Sequence, residues 1–207
     1  VGLITNIGHA HLELVHTREG IARAKGELLA ALPADGVAIL PADDDYLDHL
    51  RRTAGSRPTL VFGRAEGADV RLVEARKEGT DLAVAYDVRG RRVEGRLKGP
   101  AKTAALAAAM GLAVATACGV SPELALERMA SVTPEGLRMQ VVEHDGRTLL
   151  MDAYNAAPES MRAALETLAE YPAPRYALLG AMRELGNHEA EAHRDLVHGL
   201  KEYGLDG

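Results

Sequence analysis

The sequence lacks the features that would place the protein in an oxidising compartment or in a membrane. Among 207 residues there is one cysteine, Cys118, so no disulfide can form within the chain. The most apolar run is the Ala-rich stretch from Ala104 to Ala117, which is shorter than the roughly 20 residues of a membrane helix. No signal peptide is visible at the start. These absences predict a cytoplasmic protein.

The charge balance and two further absences narrow the possible functions. The formal net charge is −6, which argues against a nucleic-acid partner bound through its phosphates. No glycine-rich phosphate loop of the form G-x-x-x-x-G-K-[ST] occurs in the chain. The chain also begins at Val1 without a methionine, so we expect a fragment or a processed product. A hydrophobic content of 47% can nevertheless supply a core.

The first part of the chain predicts strands and helices followed by a region of hairpins. Capping residues, proline and glycine mark the ends of the helices, and apolar and polar residues alternate along the hairpin strands. The predicted elements are a buried strand over residues 1–6, a helix from Thr17 to about Leu32, a short strand at Val37–Leu40, an antiparallel hairpin region at Leu60–Leu97 with a turn at Arg89-Gly90, a buried helix at Thr103–Cys118, and a helix begun by Ser121-Pro122-Glu123.

The second part of the chain has a different pattern, and we expect a domain boundary near Gln140 to Asp145. The predicted domains are residues 1–142 and 143–207. After the boundary strands and helices alternate, which predicts right-handed parallel βαβ units and an overall α/β fold. The predicted elements are strands at Thr148–Met151 and Tyr176–Gly180 and helices at Pro158–Glu170 and Glu189–Tyr203.

A lysine stands on an otherwise apolar helical stripe. Ile21, Lys25, Leu28 and Leu32 follow one another at steps of four, three and four. Such a lysine either extends to solvent along its aliphatic stem or is buried for a purpose. Burial would lower the pKa of its amine, and a neutral amine can capture carbon dioxide as a carbamate, an oxygen ligand for magnesium. From the spacing alone, the solvent-exposed interpretation is favoured.

Four segments together resemble the Mur ligase family. They are the stretch from Ile4 to Asp44, then ALAAAMGLAVATACGVSPE, then MDAYNAAPESM, then LLGAMRELGNHEAEAHRDLV. Their order and spacing fit the family over nearly the whole chain, and the run DAYNAAP with the later ELG is closest to the branch that adds D-alanyl-D-alanine. The resemblance implies the second half of a central ATPase domain, with a mainly parallel sheet and an antiparallel hairpin region. The start of a Rossmann-like C-terminal ligase domain would follow.

The resemblance also implies a magnesium site at the start of the chain. His11 matches the family's magnesium-ligating histidine, and Lys25 matches the lysine that the family carbamylates. Both would then serve catalysis by holding the metal. Neighbouring His9 is the competing candidate, but the family motif matches Ala10-His11-Leu12-Glu13. His16 has no counterpart, and we interpret it as a surface residue.

A second group of residues resembles the nucleotide-binding positions of the family. Arg138, in EGLRMQ, matches an arginine that reaches the nucleotide phosphates, although a solvated linker arginine would give the same pattern. Asp152 would accept hydrogen bonds from the ribose hydroxyls, and Tyr154 and Asn155 would flank the nucleotide. A strand-ending turn is the simpler interpretation of Asp152 to Asn155. Three further matches, to which we assign no chemistry, are Glu184, Gly186 and His193.

The chain departs from the family pattern in two places. Before the Ala-rich helix, the family's histidine and asparagine positions hold Pro100 and Ala104, so we expect adenine to be recognised differently. The family's Gly-Asp-Met after a C-terminal strand reads Gly180-Ala181-Met182. The family's phosphate loop and the acidic ligand of its first magnesium would both lie before Val1.

The activity that the resemblance implies is ATP-dependent amide-bond formation in peptidoglycan precursor synthesis. D-Ala-D-Ala would be joined to UDP-MurNAc-tripeptide through an acyl phosphate, with ATP and Mg²⁺ as cofactors. Because the phosphate loop is absent, the isolated chain is expected to be inactive. Two alternatives remain: another Mur or folylpolyglutamate-type amide ligase, or a catalytically inactive structural or interaction fragment.

Overall fold

A computed structural model describes residues 1–9, 15–133 and 136–207. The predicted magnesium ligand His11 lies outside these described residues. In chain order the elements are β1 (Gly2–Leu3), α1 (Arg18–Ala30), β2 (Ala38–Pro41), α2 (Leu47–Ala54), β3 (Thr59–Gly63), β4 (Val70–Glu78), β5 (Asp81–Val88), β6 (Arg91–Lys98), α3 (Lys102–Ala117), α4 (Pro122–Met129), β7 (Gln140–His144), β8 (Arg147–Met151), α5 (Pro158–Ala169), a 3₁₀ turn (Gly186–His188), α6 (Glu189–Gly199) and a second 3₁₀ turn (Leu200–Tyr203). Within the described parts of the chain, no helix is long and apolar enough to cross a bilayer.

The first six strands form one sheet in the order β1-β2-β3-β4-β5-β6. Strands β1 to β4 are parallel neighbours, whereas β4, β5 and β6 are joined as antiparallel hairpins. The α/β fold class is thereby confirmed. The predicted hairpin region was too long, because its first strand, β3, pairs in parallel with β2. Leu60, Val61 and Phe62 are consecutive buried residues, which is typical of a parallel strand covered on both faces.

The main core lies between this sheet and α3. Ala105, Ala109, Leu112 and Ala113 on α3 are fully buried, as the Ala-rich sequence predicted. The small side chains let the helix approach the sheet closely, and the buried Tyr86 hydroxyl donates to the carbonyl of Ala105 at 2.8 Å. The helix is followed by Gly119, whose φ of +71° suits glycine.

The turns around this core follow local sequence rules. The turn at Arg89 and Gly90 has positive φ at both residues (53° and 84°), which is the geometry of a tight hairpin. The Ser121 hydroxyl accepts from the Leu124 N–H at 3.3 Å and caps α4. Helix α2 was not predicted, because its eight residues are too few to establish a clear helical period.

The later part of the chain contains a two-stranded antiparallel sheet, β7-β8, and the helices α5 and α6. The predicted strand at Tyr176–Gly180 was wrong, since this segment has no regular secondary structure. A strand needs a partner for its backbone, and β8 pairs with β7 among the described residues. The segment is instead tied by one bond from Ala177 N–H to the Gly207 carbonyl, at 3.0 Å, and the Leu178 side chain is fully exposed.

The chain divides into two compact units. Unit 1 contains residues 1–7, 18–98 and 102–132, and unit 2 contains the described residues within 8–17, 99–101 and 133–207. The division of domains at residue 142 stays a prediction.

Candidate functional site

Lys25 lies at the edge of the buried face of α1. Its side chain is half-buried, and its ammonium donates to the Asn6 carbonyl at 2.7 Å and to Asn6 Oδ1 at 3.4 Å. The predicted apolar stripe was partly wrong, because Leu28 is 45% exposed while Leu29 is fully buried. The buried face is rotated by one residue from the stripe, so Lys25 stands at the boundary between protein and solvent.

This position perturbs the amine of Lys25. Burial lowers the pKa of the Lys25 ammonium below its ordinary value, and the negative charge of Asp44 opposes that shift in part. Removal from water disfavours the charged form, so more of the amine is neutral at a given pH than for a surface lysine. Such an amine is a better nucleophile toward carbon dioxide.

The peptide group between Asn6 and Ile7 is held at both of its polar atoms. Its carbonyl accepts from Lys25, and its N–H, which belongs to Ile7, donates to Asp44 Oδ2 at 2.6 Å. The next carbonyl, that of Ile7, accepts from Arg18 Nη2 at 3.0 Å and from Arg18 Nε at 3.3 Å. The chain leaving β1 is therefore fixed by charged side chains of α1 and of the segment after β2.

Asp44 was missed by the sequence analysis. It is half-buried and follows β2 in the run Ala42-Asp43-Asp44-Asp45, where a parallel strand ends. Three successive carboxylates after a buried strand were the available signal, since polar residues at the carboxyl end of parallel strands often surround ligand sites. In the structure Asp44 accepts a hydrogen bond from the Ile7 N–H, and the carbonyl of the same peptide accepts from Lys25. The spacing of residues in the sequence did not indicate this link.

The oxygen atoms near Lys25 are compatible with magnesium. Asn6 Oδ1 is one possible oxygen ligand, and a carbamate on Lys25 would add two more. Over residues 1–9, 15–133 and 136–207, no cluster of three or more His, Cys, Asp or Glu forms a metal site. His11 lies outside these ranges.

The competing histidine, His9, has a different partner in unit 2. Its Nδ1 and its backbone N–H, the latter at 3.2 Å, both contact Oε1 of Glu159 in the first turn of α5. Burial raises the pKa of the Glu159 carboxyl, but the hydrogen bonds from His9 and from the backbone outweigh it, so the net pKa is lowered. His16 is exposed.

The hairpin β7-β8 brings three of the predicted nucleotide residues together. Gln140 pairs with Met151, so the residues before β7 and after β8 run side by side. The Met139 N–H donates to Asp152 Oδ1 at 3.1 Å, and the guanidinium carbon of Arg138 lies 3.9 Å from the centroid of the Tyr154 ring. This is a cation–π contact between two exposed side chains.

The backbone on each side of Arg138 is strained. Leu137 and Met139 have φ of 59° and 49°, in the left-handed region that few non-glycine residues occupy. Residues held in this way concentrate at ligand-binding segments. Asn155 is exposed, and it adjoins this group only because it follows Tyr154 in the sequence.

The C-terminal match is built around a histidine. His193 Nε2 accepts from the Met182 N–H at 3.1 Å, and His193 Nδ1 donates to the Glu189 carbonyl at 2.7 Å. Met182 and Leu185 are buried against α6, the helix that carries His193. His193 thus fixes the segment after Gly180. At Pro100 and Ala104, where the family has residues that help to recognise adenine, the side chains offer no hydrogen-bond donor or acceptor.

Two family models match this arrangement. The Mur ligase middle domain matches residues 1–115, and the Mur ligase glutamate ligase domain matches residues 137–206. The first match alone spans more than half of the chain. The chain belongs to the Mur ligase family.

The chain is similar to several individual members of that family. The chain is 32% identical to the UDP-N-acetylmuramoyl-tripeptide–D-alanyl-D-alanine ligase of Bacillus subtilis, over 93% of the chain and 42% of the relative. It is similar to MurF from Acinetobacter baumannii, with a TM-score of 0.92 and 31% identity over 99% of the chain and 45% of that structure. It is also similar to MurF from Thermotoga maritima in complex with ADP, with a TM-score of 0.88 and 29% identity over 96% of the chain and 46% of that structure. The chain thus spans less than half of each.

Proposed function

We propose that the chain is part of an ATP-dependent ligase that joins D-Ala-D-Ala to UDP-MurNAc-tripeptide in the cytoplasm. The observation that carries the proposal is the similarity over 93% of the chain to a relative with that activity in its name. The half-buried Lys25 on α1 supports it independently, because burial lowers the pKa of its amine. The product would be a peptidoglycan precursor.

Lys25 is proposed to act as a carbamate. The neutral Nζ attacks carbon dioxide, forms an N–C bond and loses one proton to solvent, which leaves an anionic carbamate. With His11, this carbamate would hold Mg²⁺, and oxygen ligands from carboxylate-like groups suit that ion. When bound, the ion neutralises charge as two anions, a phosphate and a carboxylate, are brought together.

The residues of unit 2 are proposed to bind the nucleotide. The guanidinium of Arg138 is planar and offers several N–H donors, which fit phosphate oxygens. Its stacking on Tyr154 limits its rotamers without using its donors. Asp152 uses Oδ1 to hold the Met139 N–H, and within the described residues Oδ2 has no hydrogen-bond partner, so this oxygen can accept from ribose hydroxyls. Asn155 would flank the base or ribose.

The proposed reaction has two covalent steps. The terminal carboxylate of the tripeptide attacks the γ-phosphorus of ATP, so ADP leaves and an acyl phosphate forms. The amine of D-Ala-D-Ala then attacks the acyl carbon, phosphate leaves and the amine gives up a proton. Arg138 and the Lys25 site would contribute by positioning the phosphate and carboxylate anions for reaction.

The test is ATP-dependent phosphate release with UDP-MurNAc-tripeptide and D-Ala-D-Ala. It is measured on the 207-residue chain and on any longer natural form that contains it, with mass analysis of the peptide product. Release that requires D-Ala-D-Ala, and only in the longer form, supports the proposal. Release by the chain alone would mean that phosphates are bound without the family's loop, and the assigned mechanism would be wrong.

The two alternatives make different predictions in the same assay. A sister Mur enzyme or a folylpolyglutamate-type ligase would release phosphate with another amine or acid substrate and not with D-Ala-D-Ala. An inactive structural or interaction protein would release none in either form, although circular dichroism shows both to be folded. The lack of a phosphate loop in the chain is the feature that favours this last alternative.

A further inference from the structure

One peptide group next to Lys25 is held by two oppositely charged side chains. The Asn6 carbonyl accepts from the Lys25 ammonium at 2.7 Å, and the Ile7 N–H of the same peptide donates to Asp44 Oδ2 at 2.6 Å. Hydrogen bonds to charged groups are shorter and stronger than neutral ones. The peptide is therefore held along its dipole, with a cation at its oxygen and an anion at its N–H. Lys25, the Asn6–Ile7 peptide and Asp44 together form a clamp.

The Asp44 carboxylate is itself fixed in place. Its Oδ1 accepts from the Tyr46 N–H at 2.9 Å, and its carbonyl accepts from the Leu47 N–H at 3.0 Å at the start of α2. A side chain that bonds the backbone two residues further on forms a local turn and has few alternative rotamers. Both carboxylate oxygens are thus used, one to fix Asp44 and the other to hold Ile7.

The two halves of the clamp differ once Lys25 reacts. An ammonium group has three N–H donors, whereas a carbamate nitrogen has one and carries an anionic group beside it. The bond to the Asn6 carbonyl must weaken when Lys25 is modified. The bond from Ile7 to Asp44 does not involve Lys25 and is unaffected.

We propose that Asp44 is a positioning residue, which keeps the Asn6–Ile7 peptide in place while Lys25 changes from an ammonium group to a carbamate. This inference rests on the proposed function, because it assumes that Lys25 is carbamylated. Ile7 is 1% exposed in the segment that follows β1, so displacement of this peptide would shift the backbone beside the Lys25 side chain. A shift of this kind by about 1 Å can cost roughly 100-fold in rate.

The clamp is tested on the chain by residue-resolved amide hydrogen exchange. In Asp44→Ala we expect the Ile7 amide to exchange roughly tenfold faster or more, because a charge-assisted bond is lost. In Lys25→Ala the Ile7 amide should keep its protection. Asp44→Asn keeps one oxygen acceptor for two N–H donors and should give an intermediate rate. The control Asp48→Asn removes the same charge from an 81%-exposed side chain on α2 and should change nothing at Ile7.

Three exchange results would overturn the clamp. They are unchanged Ile7 exchange in Asp44→Ala, equal loss of protection in Lys25→Ala, and faster exchange in Asp48→Asn. Thermal unfolding of each variant shows whether faster exchange is local or reflects a general loss of stability. If Asp44→Ala is too unstable to measure, the comparison of Asp44→Asn with Asp48→Asn decides the question.

The link to function is tested separately. With ¹³C-labelled bicarbonate, the carbamate carbon of Lys25 is observed by NMR in the parent protein and in Asp44→Asn. In a form that is active in the phosphate-release assay, we expect Asp44→Asn to keep the carbamate signal and to lower kcat at least about tenfold, with a smaller change in KM for ATP. Unchanged kcat would overturn the positioning role. If the parent has no ligase activity, the exchange result still decides whether the clamp exists.

Discussion

Arg138 and Tyr154 are separated by 16 positions in the sequence, and the guanidinium carbon of Arg138 lies 3.9 Å from the centroid of the Tyr154 ring. The contact follows from the pairing of β7 with β8, which sets the flanking residues side by side. Leu137 and Met139 adopt left-handed backbone conformations on either side of Arg138. A stacked arginine on a strained backbone is oriented before any ligand arrives, which favours a binding role over that of a solvated linker residue.

Arg138→Lys is predicted to weaken ATP binding in the ligase assay. Lysine keeps the charge but loses the planar donors and most of the stacking on Tyr154. We expect an increase in KM for ATP of about tenfold or more, measured from initial rates of phosphate release. Tyr154→Phe keeps the ring and should have a small effect, whereas Tyr154→Ala should resemble Arg138→Lys. A KM for ATP that is unchanged from the parent protein in all three variants would exclude a nucleotide role for this pair.

Lys25→Ala is predicted to abolish most of the ligase activity. The change removes the amine that would form the carbamate, and with it two oxygen ligands. We expect kcat to fall by roughly 100-fold or more, with partial recovery on addition of a small carboxylate such as acetate, which can occupy the space left by the carbamate. Exposed Arg23 on the same helix offers the control Arg23→Ala, which should remain active. Full activity of Lys25→Ala would contradict the carbamate.

The sequence predicted those parts of the fold that depend on neighbouring residues. The Ala-rich helix, the turn at Arg89-Gly90 and the Ser121 cap agree with the structure because each is determined by local geometry. Parallel pairing is set by distant residues, and for that reason β3 was assigned to the hairpin region. The segment Tyr176–Gly180 shows the opposite error, since its apolar residues suited a strand that has no pairing in the described chain.

The candidate site was predicted through resemblance more than through physical pattern. The spacing singled out Lys25 but favoured a solvent-exposed side chain, and the resemblance to the family gave it a role; in the structure Leu28 is exposed and Leu29 is buried. Asp44 could not be found in this way, because its importance comes from the Ile7 N–H, 37 positions away. Spacing along one helix reports on a single element, whereas the clamp joins the segment after β1, α1 and the segment after β2.

Gly95→Ala is predicted to destabilise unit 1. A Cβ at Gly95 would lie 2.8 Å from Cδ2 and 3.0 Å from Cγ of Leu126, which is buried between α4 and β6. The branch point of a buried leucine cannot move freely, so we expect a loss of about 1–3 kcal/mol in unfolding free energy by denaturant titration. In the double variant Gly95→Ala with Leu126→Ala the two losses should be less than additive. Strict additivity would mean that the side chains do not meet.

His193→Ala is predicted to destabilise unit 2 although the sequence analysis assigned this residue no chemistry. The change removes the acceptor for the Met182 N–H and the donor to the Glu189 carbonyl. An N–H left without a partner beside the buried Met182 costs about 1–3 kcal/mol. The exposed His198 on the same helix provides the control His198→Ala, which should cost less than about 0.5 kcal/mol. Equal costs in thermal unfolding would show that the His193 bonds contribute nothing.

Tyr86 is predicted to make unit 1 less stable in alkaline solution. Burial raises the pKa of the Tyr86 hydroxyl well above its ordinary value of about 10, because the phenolate would be formed out of water. Above pH of about 10 the unfolded chain releases this proton while the folded chain keeps it, so the folded state binds more protons. The free energy of unfolding must therefore fall as pH rises through this range, and the contribution of Tyr86 is complete only below it.

The matched variant is Tyr86→Phe, which keeps the ring and removes the titrating group. It should cost about 1 kcal/mol at neutral pH, through loss of the bond to the Ala105 carbonyl. Its unfolding free energy should fall less steeply than that of the parent between about pH 9 and 11, since the other tyrosines and the lysines titrate in both proteins. Urea titrations at several pH values give both curves, and parallel curves would mean that Tyr86 ionises as readily in the folded protein as in the unfolded chain.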